Sequence, residues 1–302
     1  MKKNMYLKKR WLLPLLLLLI VCTALPVQAA ERFRKVSSNM QGAVKLSSVS
    51  IFAKASGGSK VLKTLKFGEK VRIQKESANW YQVKKGPVKG FMKKKAVVKY
   101  NKTKRHIALT FDDGPSQVNT KKVLSALKKN KCKATFFLLG CNINGNTGNL
   151  LEKAASMGCE LGNHSYDHPQ LTRLGAAGAR GQFAATDRKI RQYTGRKSTV
   201  CRTPYGDFNQ SILDASGTPH IFWSVDTLDW KYRDTGRLVS YVSQTAANGG
   251  IVLMHDIHPT TANAVDSICK RLKKQQFEMV TVTELAAIRK RPIKAGRTYS
   301  SF

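Results

Sequence analysis

The sequence predicts an α/β protein: a parallel sheet or barrel with helices outside, preceded by a small all-β barrel. Short β-rich runs separated by Gly, Pro, Ser and Asn fill residues 43–100, which is the pattern of a small barrel. From residue 106 onward, apolar strands alternate with amphipathic helices, as they do in parallel α/β folds. The 302 residues suffice for one large core or two unequal ones.

Residues 1–29 have the pattern of a secretory signal peptide. Five cationic residues precede the apolar run Trp11–Leu25, and Val27–Ala29 places small residues where a signal peptidase accepts them. The run is 15 residues long and contains Pro14, whereas about 20 apolar residues are needed to cross a bilayer. We therefore expect cleavage, with no stable membrane span afterwards. We expect no lipid on Cys22, because a bulky residue precedes it.

The chain is strongly basic, with a formal net charge of +35. Five of the positive charges lie in residues 1–29, which leaves about +30 on the mature protein. An exported protein with this charge is attracted to polyanions, which outside a cell are anionic wall polymers or lipid headgroups. The export signal argues against nucleic acid as a partner. The net charge by itself predicts retention at an anionic surface and gives no information about a catalytic activity.

The small barrel, predicted over residues 43–100, carries much of this charge, because residues 44–100 contain 15 Lys and Arg against two Glu. Its motifs resemble bacterial SH3-like domains over about 57 residues: Gly68–Val71, then Asn79–Val83, then Gly90-Phe91. The resemblance implies a wall-binding domain. It departs from the family at Ile51–Lys54. The predicted strands are Val49–Phe52, Val61–Leu65, Lys70–Ile73, Trp80–Val83 and Lys89–Met92.

A polar, charged hinge at residues 101–105 separates this barrel from the larger domain, which we place at residues 104–290, with a basic C-terminal tail at 291–302. Helices are predicted at Thr120–Lys129, Ala176–Tyr193 and Glu284–Arg289, the last with Thr283 as its cap. Seven parallel strands are predicted: His106–Phe111, Ala134–Leu139, Cys159–Asn163, Thr199–Thr203, His220–Val225, Ile251–His255 and Glu278–Val282.

Five polar motifs follow successive predicted strands. The carboxyl ends of parallel strands meet at one end of a barrel, so these motifs should form one site. Charged residues gathered there must be paired or bound to metal, because burying them unpaired is costly. The motifs are Thr110–Pro115, Asn163–Pro169, Arg202–Gly206, Asp226–Trp230 and Leu253–Asp256.

One Asp with two neutral imidazoles would make a three-ligand site for zinc or another divalent first-row metal, with positions left open for water and substrate. His164 and His168 are four residues apart, a spacing that suits two ligands of one ion. Spacing alone does not say whether Asp112 or Asp113 completes the site. It also leaves open whether Asp226 is functional or structural.

The five motifs, in this order and with these spacings, resemble the polysaccharide deacetylase family of NodB-like carbohydrate esterases over residues 104–289. The resemblance implies a distorted (β/α) barrel and a divalent metal, Zn²⁺ with Co²⁺ or Ni²⁺ as alternatives. It implies that Asp113, His164 and His168 bind the metal, that Asp112 is the catalytic base, and that Arg202 tethers this base.

The same resemblance implies the remaining roles. The backbone N–H of Tyr205 would stabilise the oxyanion, and His255 would protonate the leaving amine while Asp229 orients it and favours its charged form. Leu253 and Trp230 would line the pocket for the acetyl methyl group. Amide hydrolysis needs a nucleophile, a Lewis acid and a proton donor, and this set supplies all three.

We expect the substrate to be the N-acetylglucosamine of peptidoglycan, with release of acetate. Chitin oligomers, acetylated xylan or an exopolysaccharide are the enzymatic alternatives, and an inactive wall-binding protein is the non-enzymatic one. Histidines 106, 220 and 258 have no motif partner and are expected to be ordinary strand or surface residues. After signal cleavage the cysteines number five, without a Cys-x-x-Cys pair. This pattern indicates neither a disulfide framework nor a thiolate zinc site.

Overall fold

The computed structural model describes residues 31–302, so the predicted signal peptide lies outside the described residues. Within that range, none of the helices combines the length and the apolar character that a membrane span requires. The chain forms a small antiparallel sheet followed by a larger domain of parallel strands and helices.

The small sheet is antiparallel throughout, with strand order β4-β3-β7-β6-β5-β2-β8 and β1 paired to β5. All five predicted strands of this region are present. Three strands were not predicted, and β1 and β2 both begin before residue 43. The strands are β1 Arg34–Lys35, β2 Met40–Val44, β3 Ser48–Phe52, β4 Val61–Lys66, β5 Lys70–Glu76, β6 Trp80–Lys85, β7 Val88–Lys93 and β8 Val97–Asn101.

The larger domain alternates strands with helices, as the sequence pattern predicts. Its strands are β9 Arg105–Asp112, β10 Thr135–Leu138, β11 Glu160–Asn163, β12 His220–Ile221, β13 Val225–Asp226, β14 Ile251–His255, β15 Phe277–Val280 and β16 Thr298–Tyr299. Its helices are α1 Asn119–Lys129, α2 Gly148–Ser156, α3 Leu171–Thr194, α4 Gln210–Ser216, α5 Asp229–Tyr232, α6 Thr235–Thr245, α7 Pro259–Lys274 and α8 Val282–Ile288.

The parallel strands pair in the order β11-β10-β9-β14-β13, and β15 pairs with the amino-terminal half of β9. The predicted count of seven strands is not confirmed. Residues 199–203 form only single bridges, from Cys201 to Asn163 and to His220. The predicted strand at 220–225 is split into β12 and β13. Together these short elements continue the ring from β11 towards β13 and distort it.

Arg202 bonds to the backbone at the point where this wall is broken. Its Nε donates to the carbonyl of Ile221 at 2.7 Å, and its Nη2 donates to the carbonyl of Phe222 at 3.0 Å. These two carbonyls therefore bond to a side chain rather than only to a neighbouring strand. The break between β12 and β13 is thus part of the binding of a buried guanidinium.

Strand β9 shows why the interior of this barrel can hold polar groups. Ile107, Leu109 and Phe111 belong to the larger apolar core that includes α1 and α7 residues. Because side chains alternate along a strand, Thr110 and Asp112 point to the opposite side, and both bond to Arg202. One face of the strand packs under the helices, and the other carries the polar interior.

Two helices differ in detail from the prediction. Helix α8 is capped by Thr281 and not by Thr283, because Thr281 and Glu284 form a reciprocal capping box. The Thr283 backbone N–H instead bonds to Glu160 at 3.1 Å. Helix α3 begins before the predicted residue 176, and its first turn is separated from the rest by Gly175, whose φ of 67° is non-helical.

The small sheet packs on the barrel at the end opposite the catalytic motifs. Ala43, Val98 and Tyr100 share a buried apolar cluster with α8 and with barrel residues. The Tyr100 ring lies 5.3 Å from that of His106, at the amino end of β9, and the Asn101 N–H bonds to Glu278 at 3.0 Å. Residues 291–302, expected as a basic tail, contribute β16, which pairs with β12, and the buried Phe302.

Candidate active site

Asp113, His164 and His168 form a three-ligand cluster whose candidate ligand atoms all lie within 4.8 Å of one another. Oδ1 of Asp113 is 3.4 Å from Nε2 of His164 and 3.5 Å from Nε2 of His168. His164 is buried, and the other two residues are half-buried. The sequence predicted that these three residues are neighbours, and the structure places them together.

The donor set suits a divalent cation. Oδ1 of Asp113 is buried without a hydrogen-bond partner among the described residues. Nδ1 of His164 donates to the carbonyl of Arg202 at 2.8 Å, which directs Nε2 towards the cluster. Burial, with the charge of His164, lowers the pKa of His168 and favours its neutral, ligating form.

Asp113 itself is held ionised. Burial opposes its charge, but attraction to the neighbouring imidazoles, His164 first, outweighs burial and lowers the pKa of Asp113 to about 2. A carboxylate oxygen is a hard donor, and the two imidazole nitrogens are borderline donors. Zinc, cobalt and nickel accept this combination of ligands.

The adjacent carboxylate, Asp112, faces a different partner. Its Oδ1 accepts a 2.7 Å hydrogen bond from Nη1 of Arg202, and its Oδ2 lies 3.7 Å from Nε2 of His164. Arg202 is fully buried, and its guanidinium also lies 4.2 Å from the centre of the Phe137 ring. The geometry thus separates two carboxylates that the sequence could not: one faces the imidazoles, and the other is tied to Arg202.

His255 and Asp229 form a second buried pair. Nδ1 of His255 lies 2.8 Å from Oδ1 of Asp229. Oδ2 of Asp229 accepts from the His255 backbone N–H at 2.8 Å and from Thr261 at 2.7 Å. Burial lowers the pKa of His255, but its hydrogen bond to Asp229 and the charges of nearby carboxylates outweigh burial and raise the pKa to about 9. The pair therefore favours a protonated imidazole.

Strand register brings these two groups to one place. His255, the last residue of β14, is the register partner of Asp112, the last residue of β9. Neighbouring strands lie about 4.8 Å apart, so the carboxylate tied to Arg202 and the imidazole tied to Asp229 flank the same edge. This convergence at the carboxyl ends is what the parallel-strand prediction anticipated.

Backbone strain is concentrated at this edge. Asp113, Ser165, His168 and Tyr205 all have positive φ, between 60° and 72°. Such values are uncommon outside glycine and persist where surrounding structure enforces them. The strained residues include two of the three cluster members and the predicted oxyanion residue.

Tyr205, Trp230 and Leu253 were predicted to contact substrate. Tyr205 is 70% exposed, its ring lies 4.5 Å from that of His168, and its hydroxyl donates to the His168 carbonyl at 3.3 Å. Trp230 is 48% exposed and directly follows Asp229, whereas Leu253 is buried on β14. A groove of about 520 Å³ lies beside Tyr205, lined also by Pro169, Gln170, Arg173 and Leu174.

Asp256 is a residue to which the sequence assigned no role. It is fully buried, its Oδ2 accepts from Thr120, and its Oδ1 has no partner among the described residues. Burial, with the charges of Asp113 and Asp112, raises its pKa to about 7. A Cβ on Gly114 would lie 2.5 Å from Oδ1 of Asp256, so the buried carboxyl group requires glycine at this position of the loop. In the sequence, the feature that could have pointed to Asp256 is its position directly after His255.

The remaining candidates have local partners. Asp226 accepts from the Leu228 N–H at 3.0 Å, as a turn residue does. His106 bonds to Glu278 at 3.2 Å at the far end of the barrel. Burial lowers the pKa of His220 to about 4. The fourth, His258, is buried beside the site, with its ring 6.0 Å from that of His255 and its Nδ1 2.8 Å from Nη1 of Arg233.

Comparison with known proteins agrees with this geometry. Residues 99–218 match the family model described as polysaccharide deacetylase, and residues 47–98 match that of the bacterial SH3 domain. A solved structure of the peptidoglycan deacetylase PdaC from Bacillus subtilis is 39% identical, with a TM-score of 0.60, covering 62% of this chain and 92% of that one. The chain belongs to the polysaccharide deacetylase family.

Two further members of the family are informative. The peptidoglycan-N-acetylglucosamine deacetylase PgdA of Listeria monocytogenes is 46% identical over 184 residues, which are 61% of this chain and 39% of that protein. A family 4 acetyl xylan esterase from Clostridium thermocellum, in complex with a cobalt ion, is 30% identical with a TM-score of 0.63, covering 65% of this chain and 98% of that one. The chain thus matches about two fifths of the length of the curated relative PgdA.

Proposed function

We propose that this protein hydrolyses N-acetyl groups of cell-wall polysaccharide, with the N-acetylglucosamine of peptidoglycan as its substrate and acetate as the released product. The observation that carries the proposal is the register of β9 and β14, which sets Asp112 beside His255 at the edge that also holds the Asp113, His164 and His168 cluster. The likeness to PgdA and PdaC supports the wall glycan as substrate.

The cluster would hold a divalent cation, Zn²⁺ by its donor set, with Co²⁺ and Ni²⁺ as alternatives. When bound, the cation acts as a Lewis acid on the acetyl carbonyl and increases the acidity of a coordinated water. Asp113, His164 and His168 supply one oxygen and two nitrogens. Asp112 would lie outside this ligand set, because one oxygen of its carboxylate is hydrogen-bonded to Arg202.

Asp112 would take the proton from the attacking water. Arg202 holds Oδ1, which leaves Oδ2 as the oxygen that accepts the proton. The Arg202 bond also keeps the carboxylate from rotating, so the base is oriented before substrate arrives. The backbone N–H of Tyr205 would donate to the carbonyl oxygen as negative charge develops there.

His255 would complete the reaction by protonating the leaving nitrogen. Asp229 engages Nδ1, so Nε2 is the atom that donates. The C–N bond breaks, water supplies the oxygen of acetate, and the sugar leaves as an amine. Leu253 and Trp230 would exclude bulk water from the acetyl methyl group, and the groove beside Tyr205 would accommodate neighbouring sugars.

We also propose that the protein is exported, cleaved after Ala29 and retained at the wall, and that the wall-binding SH3-like domain and the net positive charge hold it against anionic wall polymers. The match of residues 47–98 to bacterial SH3 domains supports this location.

Acetate release from purified peptidoglycan, chitooligosaccharide and acetylated xylan, with Zn²⁺, Co²⁺ or Ni²⁺ added, tests the proposal. We expect peptidoglycan to be preferred and mass spectrometry of its fragments to show glucosamine. The likeness to an acetyl xylan esterase makes an acetyl ester the second candidate, and preference for xylan would replace the wall substrate with it. If no substrate releases more acetate than an Asp112→Asn control, the protein is a wall-binding protein without this activity.

A further inference from the structure

Two of the buried cysteines lie on elements that pack directly together. Cys132 follows α1, and Cys269 lies on α7. Nδ2 of Asn130 donates to Oδ1 of Asp266 at 2.7 Å, and Nζ of Lys273 donates to the Asn130 carbonyl. Positions 266, 269 and 273 share one face of a helix, so the Cys269 side chain points at the segment that contains Cys132.

Sγ of Cys132 donates to the Asn130 carbonyl at 3.3 Å, the carbonyl that also accepts from Lys273, one turn beyond Cys269 on α7. Both cysteines are buried in the larger apolar core, with 4% and 0% exposure. The neighbouring Cys269 lowers the pKa of Cys132, whereas Cys132 and burial raise the pKa of Cys269, so Cys132 is the thiol that ionises first. Of the other described cysteines, Cys141 is exposed, and Cys201 instead contacts His220 at 3.2 Å.

We propose that Cys132 and Cys269 form a disulfide when the protein folds in an oxidising environment. A small-molecule disulfide would be the oxidant. The thiolate of Cys132 attacks it, forms a mixed disulfide and releases one small thiol; the thiolate of Cys269 then attacks Sγ of Cys132 and releases the second. The two protein thiols are oxidised, the small disulfide is reduced, and the two protons remain on the released thiols.

The position of this crosslink connects it to the catalytic edge. Helix α1 follows the loop that carries Asp112 and Asp113, and α7 follows His255 and carries Thr261, which bonds to Asp229. A covalent bond between the two helices would therefore join the supports of the metal cluster and of the proton donor. Because it closes a long loop, it would also reduce the entropy of the unfolded chain.

Refolding of the reduced, denatured protein in a mixture of reduced and oxidised glutathione tests the inference. We expect non-reducing peptide mapping to find a peptide that links Cys132 to Cys269, and Tm to fall by about 5 °C when a phosphine reductant is added. Cys159→Ser is the matched control, because it removes another buried thiol and should preserve both the link and the Tm shift.

Cys269→Ser and Cys269→Ala should abolish the link and the reductant effect. Alkylation that finds both thiols free in refolded wild type, or a link from Cys132 to Cys159 instead, would overturn the inference without requiring any variant to fold. The inference rests on the exported location within the proposed function. Its readouts do not depend on activity, so absence of acetate release leaves it standing, and absence of the link leaves the deacetylase proposal standing.

Discussion

The guanidinium of Arg202 donates a 2.7 Å hydrogen bond to Oδ1 of Asp112 in a place that water does not reach, since Arg202 is 0% exposed and the Asp112 side chain 4%. The same arginine bonds to two main-chain carbonyls and to Thr110, and its own carbonyl orients His164. The proposed base, a proposed metal ligand and the distorted barrel wall are thus connected through one residue.

Replacement of Arg202 should affect both stability and catalysis. Arg202→Met leaves Asp112 as a buried charge without its partner, which typically costs about 3–5 kcal/mol. Arg202→Lys keeps the charge but cannot reproduce the planar fork that serves four acceptors, so we expect turnover to fall by roughly 10²-fold from a misplaced base. Urea unfolding and acetate release measure the two effects.

Arg196→Lys is the matched control for that substitution, because Arg196 is exposed on a loop. It should leave both quantities unchanged. An Arg202→Lys protein with wild-type turnover would show that the fork is not required to hold the base.

The split between Asp112 and Asp113 can be tested by metal content. Asp113→Ala, His164→Ala and His168→Ala each remove one of three donors, so we expect purified variants to lose bound metal. Asp112→Asn keeps the donors and loses the proton acceptor, so it should retain metal and lose turnover. Metal analysis by mass spectrometry together with acetate release distinguishes the two groups.

His258→Ala serves as the histidine control, since this ring lies 6.0 Å from His255 and is absent from the cluster. It should retain metal. Loss of metal from Asp112→Asn, or full activity in that variant, would contradict the assignment of the two carboxylates.

The sequence predicted which strand-end residues lie close together, but not the detailed arrangement of the strands around them. Strand alternation and strand-end motifs are local patterns, and parallel strands bring their carboxyl ends together whatever the details, so His164, Asp112 and His255 could be grouped in advance. The break between β12 and β13 could not be predicted in this way, because it lies where two adjacent carbonyls bond to Arg202, 19 and 20 residues away in the chain.

The sequence pattern also did not predict which polar residues are buried. Asp256 reads as an ordinary polar residue after a strand, and only the packing of Thr120 and Gly114 around it shows that it is enclosed. Likewise, the contact of Tyr100 with His106 depends on how two domains dock.

From sequence, residues 43–100 were expected to be a separable targeting unit. Their deletion would now expose the apolar cluster that they share with α8.

Wall retention is therefore better tested by surface charge than by deletion. Lys54, Lys60 and Lys63 are exposed on the small sheet and the loop between β3 and β4. Their joint replacement by Gln should reduce sedimentation with isolated walls by several-fold at low salt, with a smaller difference at high salt because ions screen the attraction. Turnover on soluble oligosaccharides should not change.

A second triple variant controls for net charge alone. Lys121, Lys128 and Lys131 are exposed on and after α1, and their replacement by Gln removes the same charge from the other domain. Equal loss of wall binding in the two variants would mean that retention follows total charge and not the small sheet.

The pH dependence of turnover tests the pair formed by His255 and Asp229. His255 must be protonated to donate, and its pKa is raised to about 9, so the donor is present at neutral pH and is lost as the pH rises through its pKa. Asp229→Asn removes the charge that favours the cation while keeping the size. We expect maximal turnover to fall by roughly 10²-fold and the alkaline limb to move towards the ordinary value of about 6.5. Asp226→Asn is the matched control, because Asp226 only accepts from a turn N–H that an amide oxygen can equally accept. Measuring all three proteins with the same metal keeps the contribution of the ion constant. An alkaline limb at the same pH in Asp229→Asn would show that His255 is not the proton donor or that Asp229 does not set its pKa.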